Sequence, residues 1–190
     1  MKTKGLVVLF FLILNLSFCF SGLAQSQPDG SHLIKSKFFD IYIYPGVEID
    51  RASEKIRINF YDELLALKTK YATEDESEKK LAHKLDLILQ KVEKILDMYP
   101  QRMSLKLKIY PDQKQLDRAY YEIFNQANTP QRISFYIHKY ETIYTHQEAV
   151  RQGVLAHELT HAVADHYFLI LPSETVNEVL AQYVEMHLED

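Results

Sequence analysis

Two histidines and a glutamate fall within five consecutive residues, His157-Glu158-Leu159-Thr160-His161. On a helix, His157 and His161 lie one turn apart and project from one face, about 6 Å apart at their base. Two imidazole nitrogens placed this way can reach one metal ion at about 2.0–2.1 Å. Glu158 is rotated about 100° from His157, so its carboxylate is aimed beside the metal. Zn2+ is the expected ion, one per chain, because it lowers the pKa of a coordinated water toward about 7. A carboxylate beside that water can take its proton as it attacks a carbonyl, then hand the proton to a departing amine. The pattern is that of zinc-dependent peptide-bond hydrolysis with Glu158 as general base.

Such a site needs a third protein ligand and an open position. One group of zinc peptidases carries Gly and His three and six residues after the second histidine. Ala164 and Tyr167 stand there in this chain, which excludes that group. Glu178 is the best third ligand, 17 residues past His161 on a predicted closing helix. Two antiparallel helices joined by a short connection could bring it to the metal. Thr175 and Glu178 also have capping-box spacing, so a helix cap is the alternative role for Glu178. Glu174, Glu185 and Asp165 are the alternative ligands. A peptidase also needs a group that steadies the oxyanion, and Tyr144, Tyr167, Tyr183, His166 and His187 are candidates. His138 and His146 read as surface residues.

The elements that must position these groups follow from periodicity. Phe39, Ile41 and Ile43 alternate with polar or aromatic residues and predict a strand ended by Pro45-Gly46. Residues 51–71 mix alternation at Ile56, Ile58 and Phe60 with helical composition, and are assigned to helix. Leu81, Leu85, Ile88, Leu89, Val92, Ile95 and Leu96 recur at helical spacing before Pro100. Met103, Leu105, Leu107 and Ile109 alternate as a half-buried strand. A short helix over 113–125, a strand through Ile133, Phe135 and Ile137, a turn at 139–141 and a strand over 142–145 come next. Thr145 and Glu148 have the spacing of a capping box and predict the start of a long helix through Val163. Pro172 breaks the chain. A final helix over 174–188 turns Val176, Val179, Leu180, Tyr183 and Val184 inward. Strands gathered upstream of two closing helices read as a small α+β domain.

Composition sets the compartment and narrows the partners. Lys2 and Lys4 precede an apolar run from Leu6 to Leu16, and Gly22-Leu23-Ala24 supplies small residues for cleavage. That is the pattern of a secretory signal peptide over residues 1–24. The run is short for a bilayer span, which needs about 20 apolar residues. Residues 25–36 read as a flexible lead-in and 37–190 as one domain, secreted or periplasmic after cleavage near Ala24. The single cysteine, Cys19, lies in the leader, so no disulfide is expected in the mature chain. The formal charge of −4 becomes more negative once the two leader lysines are removed. An acidic chain without a basic tract argues against nucleic acid as a partner, and no later segment is apolar enough to span a membrane.

His157-Glu158-Leu159-Thr160-His161-Ala162-Val163, with Asp165 two residues on, resembles the active-site helix of thermolysin-type zinc peptidases. Leu171-Pro172 and Glu178-Val179-Leu180-Ala181-Gln182-Tyr183 are similar to the glutamate helix of the same gluzincin group, including its minimal MA-type domains. The resemblance covers roughly residues 133–188. It implies a small zincin-like domain with an antiparallel-rich sheet, an edge strand before the metal helix and a glutamate helix closing the site. It further implies that the edge strand, Ile143-Tyr144-Thr145, pairs with an extended peptide substrate. In thermolysin-type enzymes an acidic residue four positions past the ligand glutamate supports a metal histidine. Gln182 holds that position here, and a neutral amide raises ligand basicity less than a carboxylate. Asp165 is a second candidate for an outer-shell partner. The expected function is an exported zinc endopeptidase acting on a protein or peptide. The alternative is a non-catalytic binding or chaperone module on the same scaffold.

Overall fold

The computed structural model describes residues 29–57, 71, 73–125 and 132–188. Alternating apolar residues build its sheet. β2 (Phe39–Ile43) and β3 (Leu105–Tyr110) pair in parallel, with Phe39 opposite Leu105, Ile41 opposite Leu107 and Ile43 opposite Ile109. Because side chains alternate along a strand, these six residues share one buried face. β1 (His32–Lys35) joins the outer side of β2 in antiparallel register. β5 (Thr142–His146) lies parallel to β3, and β4 (Ser134–Ile137) lies antiparallel to β5. The strand order is β1-β2-β3-β5-β4, so the described residues form an α+β unit on a five-stranded mixed sheet.

The helices are α1 (Ile49–Glu54), α2 (Glu76–Leu96), α3 (Gln113–Phe124), α4 (Gln152–Tyr167) and α5 (Glu174–Met186). Leu81, Leu85 and Leu89 of α2 and Leu155, Leu159 and Val163 of α4 bury one face of the sheet, meeting Ile41, Leu107 and Ile143. The other face carries a smaller cluster of Tyr110, Phe135 and Tyr144 with Leu116 and Ala119 of α3. α5 folds back on α4. No helix among the described residues is long and apolar enough to cross a membrane.

Several expectations are corrected. The sheet is not antiparallel-rich: two of its pairings are parallel. The connections from β2 to β3 and from β3 to β5 pass through helices, and long crossovers permit parallel pairing. Ile143-Tyr144-Thr145 is not an edge, since β5 sits between β3 and β4 and all three residues are buried. The edge on that side is β4. The lead-in is not wholly flexible either: residues 32–35 form β1 and bury Ile34. The Thr145–Glu148 capping box does not form. Thr145 belongs to β5 and its hydroxyl donates to the Ile133 carbonyl, Glu148 pairs with Arg51 and Lys55, and α4 begins only at Gln152. On α5, Ala181 and Val184 face inward, whereas Val176, Val179 and Tyr183 are exposed. The helix expected over 51–71 is seen in part as α1; Ile58, Phe60 and the rest of 58–70 lie outside the described residues, as do the leader over 1–24 and residues 25–28.

Candidate metal centre

Half of α4 is buried, including Leu155, Ala156, Leu159, Ala162, Val163 and Ala164. That burial fixes the helix rotation. It leaves the His157–His161 face turned toward α5, with the two rings edge to face at 4.9 Å between centroids. A short connection through Pro172 reverses the chain, and Ser173 caps α5 by accepting from the Val176 N–H. Ser173 therefore takes the capping role that was the alternative for Glu178. Glu178 instead faces the histidines: Oε2 lies 3.5 Å from His157 Nε2 and Oε1 lies 3.5 Å from His161 Nε2.

The ligand atoms of His157, His161 and Glu178 all lie within 4.8 Å of one another. Two donors each about 2.1 Å from a tetrahedral ion are separated by about 3.4 Å. The two carboxylate–imidazole separations, one to each oxygen of Glu178, are close to that value and longer than typical hydrogen bonds. Two imidazoles and one carboxylate make a donor set suited to zinc with an open fourth position.

Protonation supports the same fit. His157 Nδ1 lies 2.5 Å from Glu185 Oε1. A carboxylate only accepts, so Nδ1 carries a proton, and Nε2, on the Glu178 side, is the nitrogen left for a metal. His161 is pushed below its usual pKa by burial and then by the neighbouring His157, with Glu178 opposing. Burial favours the neutral His161 imidazole that a metal requires.

Glu158 is buried, and burial pushes its carboxyl up to about 7; Glu178 adds to the rise. The nearby His157, the Tyr136 main-chain N–H and the Ser134 hydroxyl act in the opposite direction. Both residues that reach Glu158 from the sheet belong to the edge strand β4. A carboxyl that titrates near neutrality beside a metal-type donor set is matched to general acid–base work.

The other predicted site residues fall elsewhere. Gln182 is exposed, and the carboxylate that supports a histidine is Glu185. Its signal was present in the sequence, because seven residues are close to two helical turns, so Glu185 shares a face with Glu178. Asp165 does not support His161. It points to β4, where it accepts from the Tyr136 hydroxyl at 2.7 Å and from His138 Nδ1. Tyr144 stacks on Phe135 in the second core cluster. His166 and His187 each donate Nδ1–H to a carbonyl of their own helix turn, and Tyr183 packs on His187. Tyr167 is half exposed against Phe168. His138 is exposed as expected, but His146 is buried.

No protein-family model, no curated protein and no solved structure matches this chain.

Proposed function

We propose that the chain is an exported, zinc-dependent peptidase with a zincin-like site, in which His157, His161 and Glu178 hold the ion and Glu158 is the general base. The observation that carries this reading is the convergence of those three ligand atoms beside the buried Glu158 carboxyl. When bound, zinc would supply a Lewis acid that polarises the scissile carbonyl and lowers the pKa of a water. The chain's own residues do the rest. Glu185 holds the His157 ring in the tautomer that exposes Nε2. Glu158 takes the proton from the attacking water and delivers it to the leaving amine. The Tyr136 main-chain N–H steadies Glu158, and the outer edge of β4 next to it could pair with an extended peptide. The substrate is a protein or peptide met outside the cytoplasm, after leader cleavage near Ala24.

The first test is metal content, wild type beside His161→Ala, followed by hydrolysis of an unfolded protein by the zinc-loaded chain. About one zinc per chain, lost in the variant, with turnover abolished by Glu158→Gln at unchanged zinc content, is the expected result. Stoichiometric zinc without turnover in the wild type would point to the non-catalytic binding module. No stoichiometric metal even after zinc is supplied would remove the reading altogether.

A further inference from the structure

The outward face of α5 takes no part in the metal site or the core. Val176, Val179, Tyr183 and Met186 are 47%, 59%, 44% and 72% exposed. Their spacing of three, four and three residues is the a/d pattern of a helix–helix seam. The loop leading into α5 exposes Leu169 and Ile170 almost completely. The four seam residues leave apolar surface on the order of several hundred Å2 open to solvent, the size range of patches that mark interaction sites.

We propose that this face is a self-association surface, on which α5 packs antiparallel against α5 of a second copy. Size complementarity carries the choice of occupant. The N-terminal half of the seam is small, with Val176 and Val179, and its C-terminal half is large, with Tyr183 and Met186. A two-fold antiparallel pairing sets Val176 against the second Met186 and Val179 against the second Tyr183, so small meets large throughout. A parallel pairing would set tyrosine against tyrosine and leave space between the valines. Charge agrees. The positions flanking the seam are Thr175, Leu180, Gln182 and His187, so no carboxylates oppose one another across it. The acidic residues Glu174, Glu178 and Glu185 line a different side of the helix. At about 100° per residue, the seam centre lies about 120° around from Glu178, and the metal group stays open in the pair.

Sedimentation velocity of the full chain over a concentration series tests this. The expected result is a monomer–dimer equilibrium that Val179→Glu or Tyr183→Glu shifts at least tenfold toward monomer, with circular dichroism and zinc content unchanged. Both positions are exposed, so neither variant should impair folding. A chain that stays monomeric throughout, or self-association that neither variant weakens, would overturn the proposal. So would binding to phosphatidylcholine vesicles that Val179→Glu abolishes in a monomeric wild type, since a lipid surface would then be the occupant. Zinc content is read separately, so failure of the seam and failure of the metal site are distinguishable.

Discussion

Glu185 and Gln182 compete for one role, and geometry decides between them. Glu185 accepts the His157 Nδ1–H at 2.5 Å, whereas Gln182 is exposed. Outer-shell carboxylates that orient a metal-binding imidazole are typically worth about 10–100-fold in metal affinity. Glu185→Ala should therefore weaken zinc binding by about that factor, read by competition with a chelating dye. Gln182→Ala should leave it unchanged, and equal losses in the two variants would show that the effect is not specific to the His157 contact. In the proposed site Glu178→Ala removes a ligand rather than its support, so its loss should be the larger. The His157–Glu158–His161 motif was legible because helix geometry alone puts the two rings together. Glu185 reads from the sequence only as an alternative ligand, and its contact with His157 Nδ1 depends on how α5 packs against α4. Asp165 was not resolvable at all, since only the packing of α4 on β4 shows which way it points.

At the scale of elements, α4 is placed by a sheet whose first turn is anchored to α2. Asp86 is buried on α2 and accepts from the Ser36 hydroxyl at 2.7 Å and from the Lys37 and Phe38 N–H groups. Those three donors sit in the turn between β1 and β2. Asp86→Ala would strand them beside the core, at a cost of about 3 kcal/mol. The urea midpoint should fall accordingly, and the Lys37 and Phe38 amides should exchange faster; an unchanged midpoint would mean that water replaces the carboxylate without cost. Most of the regular elements were legible in the sequence. β2, α2, β3 and α3 follow from their apolar periods, each with one clear buried face, whereas β5 is buried along its whole length. β1 was not, because four residues with one buried isoleucine carry too short a pattern, and its place depends on Asp86, 50 residues from Ser36. The order of the strands was also hidden. Alternation marks a strand but says nothing of its neighbours, so the edge was assigned to β5 when it belongs to β4.

At the scale of the whole molecule, the two core clusters lie back to back on the sheet, and His146 stands at the end of β5 where α1, α3 and the approach to α4 come together. It is buried, and its Nδ1 has no hydrogen-bond partner among the described residues. Burial lowers its pKa below 6.5. Glu148, Asp112 and Asp117 oppose that shift, and Lys55 adds to it. The sign follows from linkage. Below pH 6.5 the unfolded chain binds a proton at this histidine that the folded chain resists, so stability present above 6.5 is lost as the pH falls through the depressed folded value. One proton bound by only one of the two states changes stability by about 1.4 kcal/mol per pH unit, which is the ceiling for this side chain. His146→Phe keeps a ring in the site and removes the titration. Urea midpoints of both proteins, measured between pH 7.5 and 5 with chelator present, should diverge: the wild type should lose more stability than the variant as the pH drops. The chelator removes any contribution from metal release at His157 and His161. Parallel curves would mean that His146 takes up its proton without cost, through water or Glu148 reaching the orphaned nitrogen. Divergence would make the end of β5 an acid-sensitive point of the fold, with metal release at His157 and His161 excluded by the chelator.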